Sequence, residues 1–379
     1  MHCAYFERGT CRSCGWLADP YADQLQRKMA RCQSALTGLG GVWLPIVPSA
    51  ETAFRNKAKM VVCGDASSPC LGILDADDDG IDLSNCPLYP TAITEAFEPL
   101  KQMIRRLGIP PYDVKKRQGE LKYLLITVSE DDDSLMVRLV LRSDIWIERL
   151  RADLSTLTAD LPHLAVLSVN IQPVHQAILE GEQEVILTDR ETLTVHLNGL
   201  PFHLRPKSFF QTNTRVAEQL YATARSWVAE VAPVHMWDLF CGVGGFALHC
   251  ADVIPGQVTG IEISAEAIAS AQQSALELGL KNVSFHALGA NEFIDQAVSL
   301  PQMPALVVVN PPRRGLGVGL CAFLDESVVQ TVIYSSCNPE SLARDLVMMP
   351  GFELVKAQVF DLFPHTAHSE VLAMLVRVR

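Results

Sequence analysis

The sequence predicts an α/β protein whose second half is a doubly wound domain built on a mostly parallel sheet. Three observations predict this class. From about residue 200, short apolar runs rich in β-branched residues alternate with helical patterns. A glycine-rich turn, DLFCGVGGF, follows the first of these runs. Polar residues come directly after several of the other runs, and doubly wound sheets bind ligands at the carboxyl ends of their strands.

The helices of this half can be placed by their apolar spacing and their caps. The first helix has apolar residues at helical intervals, namely Val216, Leu220, Ala224 and Trp227. Asn213 or Thr214 is available as its N-cap, and Ser264 can cap a second helix. That second helix is predicted to end at Gly279, the residue type favoured in a left-handed C-cap.

Seven strands are predicted in the second half: HMWDLF, QVTGIEI, VSFHAL, ALVVVN, TVIYSSC, FELVKAQVF and VLAMLVRVR. The first half is less regular, and its segments KMVVCG, LKYLLITV and SLMVRLVLR indicate antiparallel strands in an α+β region. We therefore predict two domains, residues 1–200 and residues 201–379.

Composition is that of an ordinary globular protein. The 379 residues are 49% hydrophobic and 20% charged, without a signal-peptide pattern or an apolar run near the roughly 18 residues of a membrane span. We expect a cytoplasmic monomer with no membrane partner, whose eleven cysteines do not form disulfides. The formal charge of −12 disfavours nucleic acid as a partner, but the basic runs FRNKAKM and VKKRQGELK leave a segregated basic surface open as an alternative.

The turn DLFCGVGGF has the features of a nucleotide-cofactor site. Gly242, Gly244 and Gly245 permit a sharp turn and a close approach of the backbone to a ligand. Glu262 ends the next strand, about 20 residues further on, where a carboxylate can bind ribose hydroxyls. Either NAD or S-adenosylmethionine (AdoMet) would fit these features.

Three further signals favour AdoMet. The spacing G-x-G-G lacks the third glycine of G-x-G-x-x-G, and Asp238 ahead of the turn suits a cationic ligand better than a pyrophosphate. The fourth strand ends in NPPRRG, where two prolines after Asn310 stiffen a loop at the ligand-binding edge. Arg313 follows the prolines, so the aromatic platform of amino-group methyltransferases is missing.

The segment VIYSSCNPESL places a thiol, Cys337, at the end of a predicted strand and not inside it. A thiol is needed when the carbon to be methylated is a poor nucleophile, as C5 of uracil is. Thiolate addition at C6 makes C5 nucleophilic, and a base must afterwards remove the C5 proton. The segment FPHTAHSEV offers Glu370 as the candidate base, together with His365 and His368.

Five motifs, SFFQTN, DLFCGVGGF, NPPRRG, SSCNP and PHTAHSE, occur in this order. With them the chain resembles the RNA (uracil-C5)-methyltransferase family over essentially its whole length. The resemblance implies a class I AdoMet-dependent methyltransferase domain that forms 5-methyluridine, with Cys337 as nucleophile and Glu370 as base. The AdoMet contacts that it implies are Gln211, Phe240, Glu262 and Asn310.

Four cysteines form a possible metal site: Cys3, Cys11 and Cys14 in the pattern C-x7-C-x2-C, and Cys86 in NCPLYP. Four thiolates can hold tetrahedral zinc or a [4Fe-4S] cluster, and their spacing does not decide between the two. The resemblance favours the iron–sulfur cluster, in a structural or RNA-positioning role within an N-terminal RNA-binding domain. The remaining cysteines are interpreted as packing residues: Cys32, Cys63, Cys70, Cys241, Cys250 and Cys321.

Within the family, this cysteine set, the FRNKAKM segment and the lack of a preceding small β-barrel look most like the members that methylate uracil 747 of 23S ribosomal RNA. Two positions depart from the family pattern. Asn310 stands where many relatives have Asp, and Gly289 stands where relatives carry an acidic residue for the adenine amine. These departures motivate one alternative, a non-catalytic metal-cluster RNA-binding protein with a vestigial methyltransferase fold. Cytosine-C5 methylation, which uses the same thiol, is another.

Overall fold

The structure, a computed structural model, describes residues 1–176, 178–289, 292–294 and 303–378. The chain divides into two compact units. The first consists of Met1–Cys14 and Glu51–Val195, and the second of Gly15–Ala50 and His196–Arg379. The sequence predicts a single boundary near residue 200. The structure divides the chain after Val195, which lies close to this boundary, but it also assigns Gly15–Ala50 to the second unit.

In the described residues the helices are α1 (Ala4–Glu7), α2 (Tyr21–Ala35), α3 (Thr91–Leu107), α4 (Ile147–Asp160), α5 (Thr214–Val231), α6 (Gly245–Cys250), α7 (Ala265–Glu277), α8 (Val318–Glu326) and α9 (Pro339–Val347). The strands are β1 (Val42–Trp43), β2 (Lys57–Gly64), β3 (Pro69–Leu74), β4 (Gly80–Asp82), β5 (Leu121–Val128), β6 (Leu135–Leu141), β7 (Leu164–Ile171), β8 (Gln183–Ile186), β9 (Leu193–Leu197), β10 (Leu200–Leu204), β11 (Met236–Leu239), β12 (Val258–Glu262), β13 (Val283–Ala287), β14 (Leu306–Val309), β15 (Thr331–Ser336), β16 (Phe352–Phe360) and β17 (Glu370–Arg377). None of the described helices is both long enough and apolar enough to cross a bilayer.

The second unit is built on a mostly parallel sheet with the strand order β1-β16-β17-β15-β14-β11-β12-β13. The strands from β11 to β17 correspond to the seven predicted ones, and β17 alone runs antiparallel to its two neighbours. The eighth strand, β1, was not predicted. It pairs in parallel with β16, where Val42 lies opposite Lys356. This pairing explains why Gly15–Ala50 belongs to the second unit, because its strand completes that unit's sheet.

The predicted helix ends in this unit are confirmed. The side chain of Asn213 accepts a hydrogen bond from the Val216 N–H at 3.3 Å, which makes it the N-cap of α5. Ser264 accepts one from the Ala267 N–H at 3.3 Å and caps α7. Gly279 follows α7 with a φ of 64°, in the left-handed region that favours glycine.

The first unit contains a seven-stranded sheet with the order β4-β3-β2-β5-β6-β7-β8. The three strands predicted from KMVVCG, LKYLLITV and SLMVRLVLR are its adjacent antiparallel strands β2, β5 and β6. Only β6 and β7 are parallel, and α4 connects them. Helices α3 and α4 are linked by Arg106, which forms a bidentate ion pair with Asp153 at 2.8 and 2.7 Å.

Two expectations about the cysteines are wrong, namely that no disulfide forms and that all the cysteines outside the possible metal site and Cys337 are separate packing residues. Cys63 and Cys70, interpreted from the sequence as separate packing residues, are joined by a disulfide. The reason lies in the pairing of β2 with β3, which places these two residues directly opposite each other across the antiparallel ladder. The sequence separation of seven residues does not reveal that register.

A glycine substitution tests the close approach of β3 and β4. A Cβ atom at Gly72 would overlap the carbonyl oxygen of Ile81, which belongs to the backbone and cannot rotate away. We expect Gly72→Ala to lower the free energy of unfolding by about 1–3 kcal/mol. Gly15→Ala is the control, because φ at Gly15 is ordinary and no described atom lies within 4 Å of its Cβ position. Equal stability of the two variants in urea unfolding would contradict the close approach.

Candidate active site

The predicted cofactor residues meet at one edge of the second unit's sheet. Leu239 of β11 pairs with Ile261 of β12 and with Val309 of β14, all in parallel. Phe240, Glu262 and Asn310 each come one position after one of these paired residues. The N–H of Asn310 donates to the Leu239 carbonyl at 3.3 Å. The structure therefore brings these three residues together at the carboxyl ends of neighbouring strands.

The glycine-rich loop after β11 is tightly wound. Phe240, Gly242 and Gly244 have φ angles of 63°, 54° and 87°. A Cβ atom at Gly244 would press against the Phe285 ring, whereas at Gly242 no described atom lies within 4 Å of the Cβ position. The loop is thus packed from behind at Gly244 and faces open space at Gly242, which lets a ligand approach its backbone.

Two carboxyl groups stand beside this loop. Glu262 accepts hydrogen bonds from the N–H groups of Gly242 at 3.3 Å and Ser264 at 2.9 Å. Asp238 is fully buried, and one of its oxygens accepts from the Ala247 N–H at 2.9 Å. Its other oxygen has no partner among the described residues. Burial raises the pKa of Asp238 to about 8, with the charge of Glu262 acting in the same direction.

The remaining cofactor positions lie on connecting segments. Gln211 is buried in the segment between β10 and α5, two residues ahead of the Asn213 cap. Gly289 follows β13, and its N–H donates to a carboxylate oxygen of Glu292 at 3.1 Å. An acidic side chain therefore contacts the position at which the sequence shows only glycine. Residues 290 and 291 of the HALGANEF motif lie outside the described residues.

Cys337 and Glu370 are brought together by the antiparallel pairing of β15 with β17. Ser336 lies opposite Val371 at the end of the ladder, where Cys337 directly follows Ser336 and Glu370 directly precedes Val371. The charge of Glu370 acts on the Cys337 thiol across this short distance. Glu370 is buried and accepts a hydrogen bond from the Ser335 hydroxyl at 2.5 Å. Cys337 is only half-buried, so its thiol combines contact with the sheet edge and access from outside.

The environment raises the pKa of both groups. For the Cys337 thiol the main cause is burial, the charge of Glu370 adds to it, and Arg313 opposes it. Burial raises the pKa of Glu370 to about 7, against the hydrogen bond from Ser335. A carboxyl group with a pKa near neutrality is suited to accepting and returning a proton.

The two histidines of FPHTAHSEV have different surroundings. His365 is fully buried, and its backbone N–H donates to the Gln24 side chain at 2.9 Å. A nitrogen of His368 lies 3.2 Å from an Arg313 nitrogen, and burial, followed by the charge of Arg313, lowers the pKa of His368. His368 thus shares a charged neighbour, Arg313, with Cys337.

The four cysteines of the possible metal site lie near one another in the first unit. Cys3, Cys11 and Cys86 pack against the same apolar core. Burial raises the pKa of Cys14 to about 12, and the charges of Cys86, Cys11 and Cys3 raise it further. Within residues 1–176, 178–289, 292–294 and 303–378, no group of three or more His, Cys, Asp or Glu side chains has an arrangement that could hold a metal ion. The structure thus gathers four neighbouring thiols without the geometry of a formed metal centre.

Comparisons with known proteins agree with this geometry. The family model described as tRNA (Uracil-5-)-methyltransferase matches residues 20–378. Among curated relatives, the 23S rRNA (uracil(747)-C(5))-methyltransferase RlmC of Pectobacterium atrosepticum and that of Serratia proteamaculans are each 52% identical over 378 residues, with 100% of both chains covered.

Among solved structures, the tRNA (uracil-54, C5)-methyltransferase of Pyrococcus abyssi, in complex with S-adenosyl-L-homocysteine, has a TM-score of 0.79 at 24% identity. The match covers 96% of this chain and 85% of that chain, and it shows that the α/β methyltransferase fold is shared. The resemblance inferred from the five motifs is confirmed, and the chain belongs to the tRNA (uracil-5-)-methyltransferase family.

Proposed function

We propose that the chain methylates C5 of a uracil in 23S ribosomal RNA, with uracil 747 as the target. The full-length relatives at 52% identity, which carry this activity in their names, support the choice of substrate. The single structural observation that supports the reaction most is the juxtaposition of Cys337 and Glu370 at the end of the β15–β17 ladder. This end lies two strands from the glycine-rich loop of β11.

In the proposed reaction the Cys337 thiolate adds to C6 of the uracil and forms a carbon–sulfur bond. The electrons of the C5–C6 double bond move towards the O4 carbonyl, which leaves an enolate with a nucleophilic C5. After C5 has gained the methyl group, Glu370 accepts the proton of C5. The C5–C6 double bond then re-forms, the sulfur leaves C6 as thiolate, and the base is released.

AdoMet, when bound, supplies the electrophilic methyl group. The residues of the strand edge fit such a ligand, because Gly242 faces open space and Asp238 has a buried oxygen without a described partner. Glu262 would bind the ribose hydroxyls, and Gln211, Phe240 and Asn310 would line the remainder of the site. The target uracil must leave its stack to reach Cys337, which favours a single-stranded loop of the RNA.

The four cysteines are proposed to hold a [4Fe-4S] cluster in a structural or RNA-positioning role. Cys3, Cys11, Cys14 and Cys86 supply four thiol donors, the set that such clusters require. Their proximity and partial burial support this assignment, and zinc is the competing ligand for the same donors. None of the reaction steps depends on this group, because Cys337 and Glu370 supply the chemistry.

Adduct trapping tests the two roles. RNA containing 5-fluorouridine cannot lose a proton from C5, so the wild-type protein is expected to form a stable covalent complex that survives a denaturing gel. Cys337→Ala should form none, whereas Cys321→Ala, which removes a different buried thiol, should behave as wild type. Glu370→Gln should slow turnover by roughly 10²–10⁴-fold and accumulate adduct on ordinary uridine RNA. A normal adduct yield from Cys337→Ala would remove this thiol from the mechanism.

The dependence of turnover on pH tests the environment of the base. Because Glu370 must be ionised to accept a proton, the rate of adduct release should rise with pH through an apparent pKa of about 7. Ser335→Ala removes a hydrogen bond that favours the ionised form, so the midpoint should move to higher pH. Ser274→Ala, which removes a buried hydroxyl bonded to the Ser270 carbonyl, is the control and should leave the profile unchanged. A shift to lower pH in Ser335→Ala would contradict this account.

Metal analysis tests the cysteine proposal. Protein purified without oxygen should contain about four iron and four sulfide per chain. Cys14→Ser should lose most of both, because one of the four ligands is gone, whereas Cys32→Ser removes a thiol of the second unit and should retain them. One zinc per chain without sulfide would overturn the cluster assignment and leave the methylation proposal untouched.

A further inference from the structure

Helix α2 lies against the segment that leads into the catalytic strand β17. Gln24, Lys28, Arg31 and Cys32 of this helix are spaced at i, i+4, i+7 and i+8, so they share one helix face. Each of the four contacts a residue between positions 361 and 369. All of these residues belong to the second unit.

The first contact fixes a residue with an unusual backbone conformation. His365 has a φ of 65°, a region that non-glycine residues adopt rarely and only when their surroundings hold them there. Its N–H donates to the Gln24 side chain at 2.9 Å, and its carbonyl accepts from the Trp16 N–H at 2.9 Å. Both backbone groups of His365 are therefore bound by the N-terminal segment.

The second contact is a buried ion pair. The ammonium group of Lys28 lies 2.5 Å from a carboxylate oxygen of Asp361, and both side chains are fully buried. Lys28 also donates to the Phe363 carbonyl at 2.9 Å, and Tyr21 donates to the other Asp361 oxygen at 2.7 Å. Each charge is satisfied only while the helix and the segment stay together, since an unpaired buried charge is strongly unfavourable.

The third contact joins both sides of the candidate active site. Arg31 forms a bidentate pair with Glu340, with both distances 2.9 Å, and donates to the Ala367 carbonyl at 2.8 Å. Glu340 lies three residues after Cys337, and Ala367 lies three residues before Glu370. One guanidinium group thus holds the chain on the nucleophile side and the chain on the base side at the same time.

The fourth contact is adjacent to the base itself. The sulfur of Cys32 lies 3.5 Å from the hydroxyl oxygen of Ser369, and both residues are buried. Ser369 directly precedes Glu370, so the contacts of α2 continue up to the residue before the catalytic strand.

We propose that Gln24, Lys28 and Arg31 are positioning residues, which fix Glu370 relative to Cys337 through the 361–369 segment. This inference rests on the proposed function, because it gives the helix a role in the reaction assigned to those two side chains. Displacement of a reacting group by about 1 Å can cost roughly 100-fold in rate, so contacts made far from the substrate can govern turnover.

Arg31→Gln is the sharpest test, because Arg31 is partly exposed and the variant is expected to fold. Its matched control is Arg225→Gln, since Arg225 forms a bidentate pair with Asp252 at 3.0 and 2.5 Å elsewhere in the same unit. The side chains of Arg31 and Arg225 are 38% and 43% exposed. Because exposed ion pairs contribute little to stability, both variants should melt at nearly the same temperature.

The expected result is a fall in kcat of roughly tenfold or more for Arg31→Gln, with the KM for AdoMet unchanged, and wild-type kinetics for Arg225→Gln. Arg31→Lys should recover part of the loss, because an ammonium group can bind Glu340 or the Ala367 carbonyl but not both in the same geometry. Combining Arg31→Gln with Glu340→Gln should cost less than the sum of the single effects, since the two residues act together.

Two outcomes separate this inference from the proposed function. If the wild-type protein forms an adduct with 5-fluorouridine RNA and Arg31→Gln retains wild-type kcat, the positioning role is overturned and the proposed function stands. A loss of kcat in Arg225→Gln equal to that in Arg31→Gln also overturns it. If the wild-type protein forms no adduct and transfers no methyl group to 23S RNA, the proposed function fails and this inference fails with it.

Discussion

The candidate site depends on one antiparallel strand in a sheet that is otherwise parallel. Strands β11, β12, β14 and β15 all end at the same edge, which places Glu262, Asn310 and Cys337 there. A parallel β17 would bring only its last residues to this edge. Because β17 runs in the opposite direction beside β15, it begins with Glu370 at the edge where β15 ends and Cys337 follows. The charge of Glu370 therefore acts on the Cys337 thiol. Strand direction therefore decides which side chains can meet.

Burial at this edge raises the pKa of both members of the pair, which helps Glu370 to accept a proton but disfavours the thiolate of Cys337. It raises the pKa of Glu370 to about 7, which makes the carboxyl group a reversible proton acceptor near neutral pH. It also raises the pKa of the Cys337 thiol, and the charge of Glu370 adds to this effect. A neutral Glu370 consequently favours the thiolate. The proposed roles therefore need Glu370 in two different states, neutral while the thiolate attacks and ionised when it accepts the C5 proton.

The sequence predicts those parts of the structure that depend on local pattern. Strand ends could be read from apolar runs, and the carboxyl-edge rule then places the glycine-rich turn, Glu262 and Asn310 together without knowledge of side-chain contacts. Phe240 is a cofactor contact only by the family resemblance. Helix α2 is different. Its partners beside the candidate site are 309 to 341 residues away in the chain, as Arg31 with Glu340 and Gln24 with His365 illustrate, and apolar periodicity carries no information about them. The register that joins Cys63 to Cys70 is likewise not encoded in apolar periodicity, although these two residues are only seven positions apart.

The charge balance at the cofactor edge offers a physical reason for an amide, and not a carboxylate, at position 310. Asp238 is buried, its pKa is raised to about 8, and the negative charge of Glu262 contributes to that shift. A carboxylate at position 310 would add a second negative charge, after that of Glu262, that opposes ionisation of Asp238. An amide retains hydrogen-bonding groups without adding charge. A cationic ligand acts in the opposite direction, because it favours the ionised form of every carboxyl group near it. With Asn310 in place, Glu262 can attract such a ligand directly, and Asp238 adds to the attraction once the ligand favours its ionised form.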